Sequence, residues 1–154
     1  MTRSSSIKSI PTRIIGLLCF VPAAGFAQEV EVPELSVGQV WEYATRPNES
    51  DSRVVICRLE SDAKLGPIVH VQVRGVAIEN PNAPSGVTDF IGHLPFSADS
   101  LQASLRQLDS VEAQAPDCEE GYRTWREAFD AGQAGIFTVS VAEAVTFTEQ
   151  ALGG

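Results

Sequence analysis

The chain has 154 residues, 44% of them hydrophobic, 20% charged and 7% aromatic, with a formal net charge of −9 at pH 7. This is the composition of one ordinary globular domain, long enough to bury a core without a metal or a dense disulfide framework. The acidic balance, with no basic patch or polybasic tail, excludes nucleic acid and anionic lipid as natural partners and favours cationic ones.

Residues 1–27 read as a cleavable secretory signal. Arg3, Lys8 and Arg13 supply a basic start, and no acidic residue precedes Glu29. An apolar run from Ile14 to Ala27 follows and closes on Gly25-Phe26-Ala27, a small-x-small end that places cleavage between Ala27 and Gln28. As a helix this run would reach roughly 21 Å against a hydrocarbon core of about 30 Å, and Pro22 interrupts it, so it favours cleavage over anchoring. Leu18 before Cys19 does not suit a lipoprotein signal. Cleavage removes three basic residues, leaving eight basic against 20 acidic and a net charge of −12. It also removes Cys19. Cys57 and Cys118 remain, an even pair in an exported chain, and predict one disulfide.

Residues 28–36 read as an extended arm, and residues 37–154 as a single α+β domain. Val40 to Thr45 alternates bulky and polar residues, predicting a strand with Trp41 and Tyr43 on one face. Arg46 to Asp51 is a turn, and its Asn48-Glu49-Ser50 sequon is treated as chance. Arg53 to Glu60 is a second strand, apolar through Cys57. Ile68 to Ile78 is a third, with Val69, Val71 and Val73 on a dry face and His70, Gln72 and Arg74 on a wetter one. Short connections imply an antiparallel meander. Asn80 to Gly86 is a loop, and Val87 to Ile91 a short fourth strand.

The second half reads as helical. Ser97 caps a first helix with Leu101, Leu105 and Leu108 on one stripe, and Asp117 caps a second with the stripe Cys118, Tyr122, Trp125 and Phe129, ended by Gly132. Gly135 to Val139 is extended, and Ser140 with Glu143 forms the capping box of a third helix. Strands followed by helices predict a three- to four-stranded sheet with about three helices packed on one face.

The chemical inventory is sparse. His93, in a predicted loop between Gly92 and Pro95, is the foremost candidate for a general base, against a plain backbone-bonding role. His70 reads as a surface residue on the wet face. The two histidines lie 23 positions apart, and neither Cys-x-x-Cys nor His-Glu-x-x-His occurs, so neither a metal nor a cofactor is expected. Glycine-rich phosphate loops and a Gly-x-Ser-x-Gly elbow are likewise missing. Trp125 with Arg126 offers a binding edge, against the plainer reading of a core tryptophan beside solvated arginines.

Three segments, Trp41-Glu42-Tyr43-Ala44-Thr45-Arg46-Pro47, His93-Leu94-Pro95-Phe96-Ser97 and Gly121-Tyr122-x-x-Trp125-Arg126-x-Ala128-Phe129, together with Gly135-Ile136-Phe137-Thr138, resemble a family of small bacterial proteins of unassigned function. The resemblance implies one bacterial domain, with no activity, ligand or residue role. The sequence therefore points to a periplasmic or secreted domain that binds another protein and is not an enzyme. The alternatives are a small hydrolase or lyase using His93 with a nearby carboxylate and a tyrosine, or a structural envelope protein. A deep cleft holding His93 beside a carboxylate would favour the enzyme; a flat apolar sheet face around His70 and Gln72 would favour the binder.

Overall fold

The computed structural model describes residues 34–153. The expected signal, its Ala27–Gln28 junction and most of the 28–36 arm lie outside the described residues. Within them the chain runs β1 (Gln39–Tyr43), β2 (Arg53–Asp62), β3 (Gly66–Glu79), β4 (Val87–Ser97), α1 (Ala98–Ser104), β5 (Leu105–Val111), α2 (Glu119–Asp130) and α3 (Val141–Gly153). The strands form one antiparallel sheet in the order β4-β3-β2-β1-β5. This is the α+β class expected from the sequence, with a meander of four strands and a fifth returning to the far edge.

β-Branched residues build the centre of the sheet, where their stiff side chains suit a pleated surface covered on both sides. Val54, Ile56, Val69, Val71 and Val73 are buried on one face and form a single core with Leu101 of α1 and Val141, Ala144 and Val145 of α3. Alternation sends Val55, His70 and Gln72 to the opposite face. That face is not wet. α2 covers it, and all three residues are buried there with Cys118 and Trp125. The helices thus divide between the two faces instead of sharing one, and His70 is fully buried instead of exposed.

Leu105 and Leu108 lie in β5, not in a helix. Trp41 pairs with Leu108 and Tyr43 with Leu105, so two steps along β1 match three along β5. The extra residue is a bulge, and it returns both leucines to the core side, where they pack partly buried. A bulged strand and a helix both bring positions three apart onto one face, which is why the spacing read as helical. β4 is also longer than expected and carries His93 within the strand, not in a loop.

The helix ends follow their local chemistry. Ser97 Oγ accepts the Ser100 N–H at the start of α1. At α2 the N-cap is Cys118, one residue beyond the expected Asp117, whose carboxylate instead accepts the Glu119 N–H at 3.0 Å. The capping box at α3 forms as expected: Ser140 Oγ accepts the Glu143 N–H and Glu143 Oε2 accepts the Ser140 N–H. A further anchor joins α3 to the sheet. Arg46 bridges Glu49 and Glu149, Glu49 accepts the Ala77 N–H, and Glu149 accepts the Glu79 N–H.

Candidate functional site

The site forms where α2 crosses β2, β3 and β4, and three sequence features bring the helix there. The first is the predicted disulfide. Cys57 and Cys118 are bonded, with Cα atoms 6.2 Å apart, and tie the start of α2 to the centre of the sheet. The second is Gln72, whose buried amide donates to the Asp117 carbonyl at 2.6 Å. The third is Gly121. A Cβ at this position would stand 2.5 Å from Cβ of His93, so only glycine lets the helix approach the strand this closely.

A bulge selects which side chains meet the helix. Ile56 pairs with Val71 and Arg58 with His70, leaving Cys57 as the extra residue in β2. Unbroken alternation would keep Ile56, Arg58 and Glu60 on the same core face. The bulge reverses the sense after Cys57 and turns Arg58 and Glu60 toward α2. The Arg58 guanidinium lies 3.8 Å from the centre of the Tyr122 ring. The Tyr122 hydroxyl donates to Glu60 Oε2 at 2.8 Å, and Arg126 donates to Glu60 Oε1 at 3.3 Å.

Behind Glu60 lie the two histidines. Nδ1 of His70 is 2.9 Å from Nε2 of His93, a hydrogen bond between the rings. Nε2 of His70 is 3.5 Å from Glu60 Oε1, within ion-pair reach but without hydrogen-bond geometry, and it is the buried side-chain polar atom left without a partner among the described residues. The carboxylate favours the proton on that Nε2. His70 Nδ1 is then an acceptor, His93 donates from Nε2, and His93 Nδ1 carries a lone pair. Among the described residues that nitrogen has no hydrogen-bond partner. Trp125 packs edge-on against His70 with ring centres 4.8 Å apart, and its N–H donates to the Gly135 carbonyl.

No protein-family model, curated protein or solved structure matches the chain. Its chemistry rests on its own residues.

Burial governs the protonation of the pair. It lowers the pKa of His70 against the opposing pull of Glu60. It pushes His93 down to about 4, with the neighbouring His70 acting in the same direction. Both rings are therefore neutral near pH 7. Burial, reinforced by the bond to Glu60, raises the Tyr122 hydroxyl above its ordinary value.

His93 lines an open groove of about 740 Å³ between β4 and α2. Phe90, Ile91 and Pro95 form one side, and Thr124, Trp125 and Ala128 the other. Phe90 is 44% exposed. Asp117 and Glu120 also line the groove, and among the described residues no lysine or arginine does. Of the predicted site residues, His93 and Trp125 face this groove, His70 lies beneath it, and Arg126 lies beside it at Glu60. The structure matches neither discriminating outcome in full: the sheet face around His70 and Gln72 is covered, while His93 lies in an open groove, bonded to no carboxylate among the described residues and linked to Glu60 through His70. Arg58 and Glu60 are not legible as site residues, because the β2 bulge that turns them toward α2 has no sequence signal, and Tyr122 is legible only as part of the buried stripe of α2. Among the described residues no group of histidine, cysteine and carboxylate side chains has the arrangement of a metal site, and no helix is long and apolar enough to cross a membrane.

Proposed function

We propose that this chain is an exported, non-enzymatic protein-binding module whose binding surface is the groove between β4 and α2. The observation that carries the reading is the groove itself: an open, largely apolar cleft with an aromatic side chain presented to solvent on one lip. Exposed apolar surface rimmed by polar groups is the usual mark of a recognition site. The cross-linked cysteines and the basic-apolar N-terminus support a periplasmic or secreted location, since disulfides persist in oxidising compartments.

Chemical capture with the oxidised protein as bait tests the surface. A partner from the bacterial envelope that binds the native protein should be lost on Thr124→Arg, which fills the groove from an exposed helix position. Retention of that partner by the folded variant would refute the assignment. N-terminal sequencing of envelope protein tests export, with Gln28 expected as the first residue.

One observation favours a second reading, a small hydrolase or lyase: the ordered chain Glu60, His70, His93 leading to a free lone pair in the groove. Catalysis by a general base works best when its pKa lies near the working pH, and a value of about 4 makes His93 a weak base. Turnover of chromogenic ester, amide or glycoside substrates that falls a hundredfold or more in a folded His93→Ala variant would establish the enzyme reading instead.

A further inference from the structure

We infer that the groove binds its partner by strand addition, taking an extended basic segment as a sixth strand along β4 with alternate side chains directed at α2. This rests on the groove being the binding surface. β4 is an edge strand, paired on one side with β3 and on the other with no complete strand. Edge strands present a row of unpaired backbone N–H and C=O groups, and an extended peptide satisfies them.

The chain itself already uses the end of this edge in that way. The extended segment after α2 lies beside the end of β4 through a parallel bridge between Phe96 and Phe137. Phe137 donates its N–H to the Pro95 carbonyl at 2.8 Å, and its carbonyl accepts the Ser97 N–H at 3.0 Å. Pro95 fits here because an edge strand tolerates a missing outward N–H. At the other end, Ser85 engages the backbone of Val87. Between them, the outward backbone groups from Thr88 to His93 have no hydrogen-bond partner among the described residues. This open stretch is the part of β4 that borders the groove, through Phe90, Ile91, Gly92 and His93.

Charge and shape select the occupant. Asp89 is exposed on the open stretch, Asp117 and Glu120 line the groove, and the whole chain is acidic. A strand whose small apolar side chains face Trp125 and Ala128, with Lys or Arg at the alternate positions, turned away from α2 but within the field of these carboxylates, complements both. A second copy of this chain would meet the edge through a two-fold axis, setting the same acidic residues of both copies against each other.

The test uses the purified oxidised protein and an eight-residue peptide of alternating Lys and Val. Two further peptides carry N-methyl groups, one on every Val and one on every Lys, so that each blocks one edge of the extended peptide. A Glu/Val peptide is the charge control. The unmodified Lys/Val peptide should bind, more weakly as salt rises, and the Glu/Val peptide at least tenfold more weakly. One N-methylated peptide should lose at least tenfold and the other less than twofold, because only one edge faces β4. Equal effects of the two, or no binding of the Lys/Val peptide, overturn strand addition. If the native partner is nonetheless lost on Thr124→Arg, the groove assignment survives that failure. If neither peptide nor partner responds to Thr124→Arg, the groove assignment fails as well. A concentration-dependent dimer that Thr124→Arg disperses would overturn the proposal in favour of a second copy.

Discussion

Acidification from about pH 7 to pH 5 should destabilise the fold through the buried histidine pair. A histidine whose pKa is lower in the folded protein than in the unfolded chain binds its proton more weakly when folded. Stability is then complete above the unfolded value of 6.5 and is lost as pH falls toward the folded value of about 4. For His93 alone, linkage gives a loss of roughly 2 kcal/mol between pH 7 and 5, and about 3 kcal/mol once pH falls below 4. His70, lowered by burial, acts in the same direction. The carboxylates held below their ordinary range, Glu49 and Glu149 among them, withdraw their contributions only near and below about pH 4.5, so the upper window belongs to the histidines. Thermal unfolding monitored by circular dichroism across this range should show Tm falling by roughly 8 °C from pH 7 to 5. The His93→Gln variant should show a shallower fall. A flat Tm in the native protein, or the same slope in the variant, would refute the argument that the pair is held neutral by burial.

Reduction of the Cys57–Cys118 bond, which closes a separation of 61 residues, should cost about 4 kcal/mol in the chain-entropy account and lower Tm clearly. Unreduced native protein should titrate no free thiol at either position, and a pair of reactive thiols would contradict the cross-link. Gly121→Ala should destabilise by roughly 1–3 kcal/mol, because the new methyl must displace His93 or lift the helix; an unchanged denaturant midpoint would show that α2 does not approach β4 so closely. Arg46→Ala strands the buried Glu49 carboxylate and should cost about 2 kcal/mol or more, well above the loss from cutting the exposed Arg126–Asp130 pair with Asp130→Ala. Equal losses from the two would refute the distinction.

The sequence alone determined the local units of this protein. Alternation of β-branched residues set β2 and β3, Ser140 and Glu143 set the start of α3, and the stripe Cys118, Tyr122, Trp125, Phe129 set both α2 and the face it buries. That stripe and the apolar run through Cys57 also made the disulfide predictable, since each placed its cysteine toward the other layer. These features depend on residues within a turn or a few strand positions of one another, and their physics is written locally. The site was decided elsewhere. Which helix covers which face of the sheet depends on the two sulfurs, the Gln72–Asp117 bond and the missing side chain at Gly121, contacts between residues far apart in the chain. The bulge at Cys57, which turns Arg58 and Glu60 toward α2, and the bulges in β5, which imitate a helical spacing, are matters of pairing between strands. His70 reads as a wet strand residue because its own neighbours alternate. It becomes a buried, neutral partner of His93 only because a helix capped by Cys118, 61 positions from Cys57, is laid over it, and burial is a property of the assembled layers, not of the segment.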